Sequence, residues 1–180
     1  MLPIAPLMIE HRLIERMIAL MKKELEKERR EGVVDVEFVD SAIDFLKVYA
    51  DRCHHGKEED IMFRDLFKKK LTKEHSEMIH ELLQDHTRGR QIVAGLTDAK
   101  KDYASGNAGA IANVSHCIQE LVELYPAHID KEDSRFFMPS MNYFNEQERV
   151  DMLKEMADFD RQLIHERYKT VVKQLEEEGR

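Results

Sequence analysis

His54-His55-Gly56-Lys57-Glu58-Glu59-Asp60-Ile61-Met62-Phe63 returns further along the chain as His128-Ile129-Asp130-Lys131-Glu132-Asp133-Ser134-Arg135-Phe136-Phe137. Aligned on the first histidine, both stretches read H-x-x-K-E-[ED]-x-x-x-F. Each therefore offers His and Glu at i and i+4, one turn apart on one face of a helix. A metal held between helices needs that arrangement, an imidazole nitrogen and a carboxylate aimed at one place. The alignment pairs His54 with Glu58 and His128 with Glu132. His55 and Glu59, each rotated by about 100° around the helix, are expected off the site, with His55 exposed or behind the ligands.

A lone histidine precedes each pair. His11 lies 43 positions before His54, and His86 lies 42 before His128. From His11 the chain climbs roughly 19 residues, turns and descends as far again, about 28 Å each way at about 1.5 Å per residue. The two histidines of each half thus return to one height. Two antiparallel hairpins face each other, each bringing two His and one Glu to a common level, as bundle cores do when they build dinuclear carboxylate sites. The fold class expected is all-α, an antiparallel up-down-up-down four-helix bundle with an additional C-terminal helix.

The surrounding sequence fits that outline. With 7 Gly and 4 Pro in 180 residues, turns are too sparse for a β-protein. A first helix is expected from about Pro6 to Arg30, ended by Gly32. A second runs from near Asp35 to about Lys70, with Gly56 marking close packing or a local irregularity. Thr72 caps a third, which runs to about Ala104, and Ser105 to Gly109 is the clearest loop. The fourth spans about Ala110 to Phe137 and stops before Pro139. Asn145 and Glu148 form a capping box for the last helix. The chain reads as a single domain over 1–180, with the bundle at 6–138 and the C-terminal helix at 146–178.

Composition narrows the function. The net charge is −8, and the one basic run is Lys68, Lys69 and Lys70, so nucleic acid is not an expected partner. No apolar run is long enough to span a membrane, and a cytoplasmic location is the default expectation. Cys53 and Cys117 are too few for a disulfide framework or a zinc cluster. They read as reduced core thiols, with Cys53 placed beside His54 where it could be redox-sensitive.

The ligand count suits two metals. If Glu58 and Glu132 bridge, each ion receives two imidazoles and two carboxylate oxygens, and six-coordination leaves about two positions open per ion. Imidazole plus carboxylate without thiolate fits iron, with manganese or zinc as substitutes. The arrangement H…HxxxE…H…HxxxE, from about Met8 to Pro139, resembles the hemerythrin-like (HHE cation-binding) family. The resemblance implies non-haem iron, oxo- or hydroxo-bridged, held by His11, His54, Glu58, His86, His128 and Glu132. It implies binding or sensing of dioxygen or nitric oxide, or action on nitric oxide or peroxide.

One position departs from the oxygen carriers of that family, which place a third histidine one turn after the third-helix ligand. Here that position is Arg90. Tyr125, one turn before His128, is a candidate to reach the gap. Arg90 and Arg135 fall on the ligand-facing side, where they would pair with the carboxylates or a bound anion. His75, near a helix start, and His80, His116 and His165 are assigned no ligand role, and the methionines read as core packing. The leading expectation is a di-iron protein that binds or senses a small oxidant, with no residue needed as a nucleophile. A di-iron enzyme that reduces peroxide or nitric oxide or donates iron for cluster repair is the alternative. A metal-dependent regulatory module is the third, its last helix docking a partner or a second copy in a homodimer.

Overall fold

The computed structural model describes residues 1–161 and 164–179, leaving aside the side chains of 164 and 166. Every regular element among them is a helix. The first, Ile4–Glu31, ends where Gly32 turns left-handed at φ 71° and returns its N–H to the Glu28 carbonyl. Only glycine adopts that conformation without a Cβ penalty. The second rod starts at Asp35, whose side chain accepts from the Phe38 N–H.

That second rod is not uniformly α-helical. After Val36–Phe45 it widens to π-helical turns over Leu46–His55 and again over Glu58–Phe63, then closes as Arg64–Leu66. Gly56 lies between the wide stretches. A Cβ there would sit 3.0 Å from the Phe159 ring, so the missing side chain makes room for a C-terminal aromatic. Thr72 caps the third helix, Lys73–Ala104, as its hydroxyl accepts from the His75 N–H.

Two expected boundaries need correction. The fourth rod, Ile111–Lys131, does not stop before Pro139; it widens over Glu132–Phe136 and continues as Phe137–Ser140. Pro139 lies within that last segment. The C-terminal helix expected at 146–178 is two helices, Glu146–Phe159 and Ile164–Glu177, with a turn at Asp160. The turn is fixed by the Asp160 carboxylate, which accepts from Lys57 Nζ at 2.7 Å and Cys53 Sγ at 3.3 Å. The capping box of Asn145 and Glu148 is formed.

Apolar side chains gather in two clusters. One includes Leu13, Met17, Phe38, Phe45, Leu96, Ile118 and Leu121. The other includes Ile4, Leu7, Phe63, Leu82, Phe136 and Phe137. His11, His54, Glu58, His86, His128 and Glu132 fall between them along each rod. The polar layer is thus sealed at both ends by hydrocarbon. The last two helices close the same core, Met152 and Met156 on one cluster and Tyr168 and Val172 on the other. No helix among the described residues is long and apolar enough to cross a membrane.

Candidate metal centre

The four lone and paired histidines meet in the polar layer. The His11 and His54 rings lie 4.6 Å apart, and those of His86 and His128 lie 4.8 Å apart. The two oxygens of Glu58 face different halves, Oε1 lying 3.3 Å from His54 Nε2 and Oε2 3.4 Å from His86 Nε2. Glu132 Oε2 is 3.2 Å from both His11 Nε2 and His128 Nε2. Adjacent ligands on one ion, each about 2.1 Å from it, lie about 3.0 Å apart, so this spacing suits cations between the groups.

Behind each imidazole stands a carboxylate. His11 Nδ1 meets Asp133 at 2.8 Å, His54 Nδ1 meets Glu10 at 2.7 Å, His86 Nδ1 meets Glu59 at 2.7 Å and His128 Nδ1 meets Asp85 at 3.4 Å. A carboxylate on Nδ1 fixes the tautomer that leaves the Nε2 lone pair free for a metal. Lys57 in turn holds Glu10, and Lys131 holds Asp85.

Every fixed position of the repeated motif now has a task. Its His and Glu face the centre, and its Lys holds the carboxylate behind its own His. Its second acid braces the lone His of the opposite half. Its Phe stacks on that same ring, Phe137 on His11 at 5.5 Å and Phe63 on His86 at 6.2 Å. The sequence reading used only the His and Glu. The repeated spacing of Lys, second acid and Phe in both copies was the available signal, as was the acid immediately before each lone histidine, Glu10 and Asp85.

The inward-facing atoms have no hydrogen-bond partner: Nε2 of His11, His54, His86 and His128, and both oxygens of Glu58 and of Glu132. Buried polar atoms normally find partners, so a cluster of orphaned lone pairs is what a cation site requires. The electrostatics agree. Burial opposes a charge on His54 and His128, yet Glu58 with Glu10 and Glu132 with Asp85 outweigh it and push both up to about 10. Against its own burial, Glu132 is held well below the ordinary carboxylate range by His128 and His11. A place that attracts protons this strongly attracts metal ions too, in competition with them.

His55 is a correction. It is buried rather than exposed or behind the ligands, and it stacks on His86 with ring centres 3.9 Å apart and planes 13° apart. Its ring falls into a group with Glu58, His86 and His128, while His11, His54, Glu58 and Glu132 form the neighbouring group. The cause is the π-helical backbone. Wide turns advance by about 80° per residue instead of about 100°, so His54 and His55 both face inward. Glu59 stays outside the ligand layer, behind His86.

Arg90 donates to Asp51 at 2.8 Å and to Glu59 at 2.6 Å, and so fixes the carboxylate that braces His86. Tyr125 is buried, its ring parallel to His55 at 6.3 Å. Arg135 does not face the centre; it is exposed, because the wide turn over Glu132–Phe136 rotates it away. Burial pushes the Cys53 thiol up to about 12, Lys57 opposing the shift and Glu10 and Asp160 adding to it. A cavity of about 180 Å³ opens beside the centre, with Asp51, Gly89, Arg90, Val93 and Tyr125 around it and His55 as its inner wall.

No curated protein and no solved structure matches the chain. The sequence pattern of the hemerythrin HHE cation binding domain matches residues 2–140. That span takes in all four rods and every ligand-capable side chain of the polar layer, and the chain belongs to the hemerythrin HHE cation-binding family.

Proposed function

We propose that this chain is a non-haem di-iron protein whose centre binds or senses a small oxidant such as dioxygen or nitric oxide. The observation that carries the reading is the set of orphaned atoms on His11, His54, Glu58, His86, His128 and Glu132, sealed between two apolar clusters. Glu58, with one oxygen toward each half, suits a bridge between two ions. The matched heights of the histidine pairs support the antiparallel up-down-up-down course of the rods. Imidazole and carboxylate without thiolate favours iron over softer metals, with zinc or manganese as possible substitutes.

A bound ferrous pair would supply the electrons and open positions for a diatomic ligand. The chain's own groups position and protect. Asp133, Glu10, Glu59 and Asp85 keep the imidazole Nε2 atoms aimed inward. The apolar clusters exclude bulk water. The adjoining cavity of about 180 Å³ lies below the size of pockets that hold drug-sized ligands, about 300 Å³ and above, and favours a molecule of a few atoms.

Metal content and the optical spectrum, anaerobic and then aerated, test the reading on wild type and His54→Ala. Close to two irons per chain, with oxo-bridge charge-transfer bands that appear on aeration and vanish in the variant, is the expected outcome. Chelation should also lower the unfolding temperature, because binding to the folded state alone stabilises it by about 2.7 kcal/mol at a hundredfold excess over Kd. Less than one metal per chain, or a spectrum indifferent to His54→Ala, overturns the proposal.

A further inference from the structure

We infer that His55 is a fifth imidazole ligand, bound to the ion on the His86 and His128 side, so that the two ions are chemically unequal. The inference rests on the two-metal reading above and extends its ligand set.

His55 carries the mark shared by the other four imidazoles of the layer. Its ring is buried and its Nδ1 faces a carboxylate, Asp51, at 3.3 Å. That carboxylate is itself held by Arg90. The other described histidines whose Nδ1 is bonded present it to neutral oxygens, His75 and His165 to tyrosine hydroxyls and His80 to a backbone carbonyl. The ring also lies within ligand distance of the right partners, its nitrogen grouping with Glu58, His86 and His128 inside 4.8 Å.

The second copy of the motif supplies a contrast. In the alignment of His54 with His128, His55 corresponds to Ile129 and Asp51 to Tyr125. Both the added imidazole and its bracing carboxylate are therefore missing from the other half. The π-helical turns lie over the same residues, Leu46–His55, and they are what rotates His55 inward. The result is three imidazoles on one ion and two on the other, with the more open coordination on the His11 and His54 side.

The test uses the full chain loaded anaerobically with ferrous iron, read by Mössbauer spectroscopy and by the rate at which a chelator removes each ion. Wild type should show two doublets of equal area and different parameters. In His55→Leu one doublet should shift while the other stays, and one of the two ions should leave faster by at least the ten- to hundredfold typical of a lost supporting partner. Asp51→Asn, at a half-buried position, should shift the same doublet to a smaller degree and remains informative if His55→Leu does not fold. Two irons in wild type with spectra and release rates unchanged in both variants would overturn the assignment of His55 and leave the di-iron reading standing. Less than one metal per chain in wild type would overturn both.

Discussion

The two halves of the centre use one motif in different surroundings. In the first half Lys57 is 0% exposed and Glu10 2%; in the second, Lys131 and Asp85 are 21% and 20% exposed. Both lysines hold the carboxylate behind a ligand histidine. The difference comes from chain that follows the bundle. Asp160, at the turn between the last two helices, pairs with Lys57, and His165 reaches Glu10 and Asp160 at 3.4 and 3.1 Å. The last two helices thus extend the hydrogen-bonded support of one half by a further layer and leave the other half facing water. Identical residues are therefore expected to carry unequal weight.

The largest expected effect separates the two lysines. Lys57→Met leaves the buried Glu10 carboxylate and Asp160 without their shared cation, and breaking a buried pair from one side costs about 3–5 kcal/mol. Lys131→Met breaks a partly exposed pair worth about 1 kcal/mol or less. At about 2–4 °C per kcal/mol for a chain of this size, thermal unfolding of the metal-loaded variants should separate them by roughly 10 °C. Equal losses would mean that the C-terminal layer adds nothing to the first half.

The next effect concerns metal retention. Glu10→Gln removes the charge from the carboxylate on His54 Nδ1, and Asp85→Asn does the same behind His128. Loss of such a partner lowers metal affinity by about ten- to hundredfold. The longer contact at Asp85, 3.4 Å against 2.7 Å, and its greater access to water place Asp85→Asn at the low end of that range and Glu10→Gln at the high end. Competition with a chelator of known affinity reads the ratio directly, and a larger loss from Asp85→Asn would reverse the comparison.

The same comparison explains what could be read from sequence. The candidate ligands were legible because a metal demands His and Glu one turn apart, and two copies with matched lone histidines at 43 and 42 positions leave little room for coincidence. Gly32, Thr72 and the Asn145–Glu148 box marked helix ends through local backbone chemistry, which does not depend on the rest of the fold. His55 and Arg135 were misplaced for one reason. Their facing was derived from about 100° per residue, and the backbone around them is π-helical; Gly56 marked an irregularity in the second rod but not its kind. The break at Asp160 was hidden for a related reason. It depends on Lys57 and Cys53, more than a hundred positions away in sequence, and the helical periodicity on either side gives no sign of it.

The halves also differ away from the metal layer, and this difference yields the smallest effect. Counting from His11 and His86, Glu24 and Glu28 on the first helix correspond to Ala99 and Tyr103 on the third. Burial, with Glu24 adding repulsion, raises Glu28 to about 7 from a usual 4.5. A carboxyl raised in this way keeps its stabilising protonated form at low pH. The folded state holds more protons than the unfolded chain between pH 4.5 and about 7, so stability falls as pH rises through that window and the full cost remains above it. Glu28→Gln keeps an oxygen to accept from the Ser115 hydroxyl and removes the titrating group. It should leave stability unchanged near pH 4 and raise it above pH 7 by about 1 kcal/mol, the full shift being reduced for screening by solvent. Urea unfolding of wild type and variant at pH 4 and pH 8 measures this. A gain at both pH values would point to packing rather than charge, and no gain at pH 8 would show that Glu28 is ionised at little cost in the folded protein.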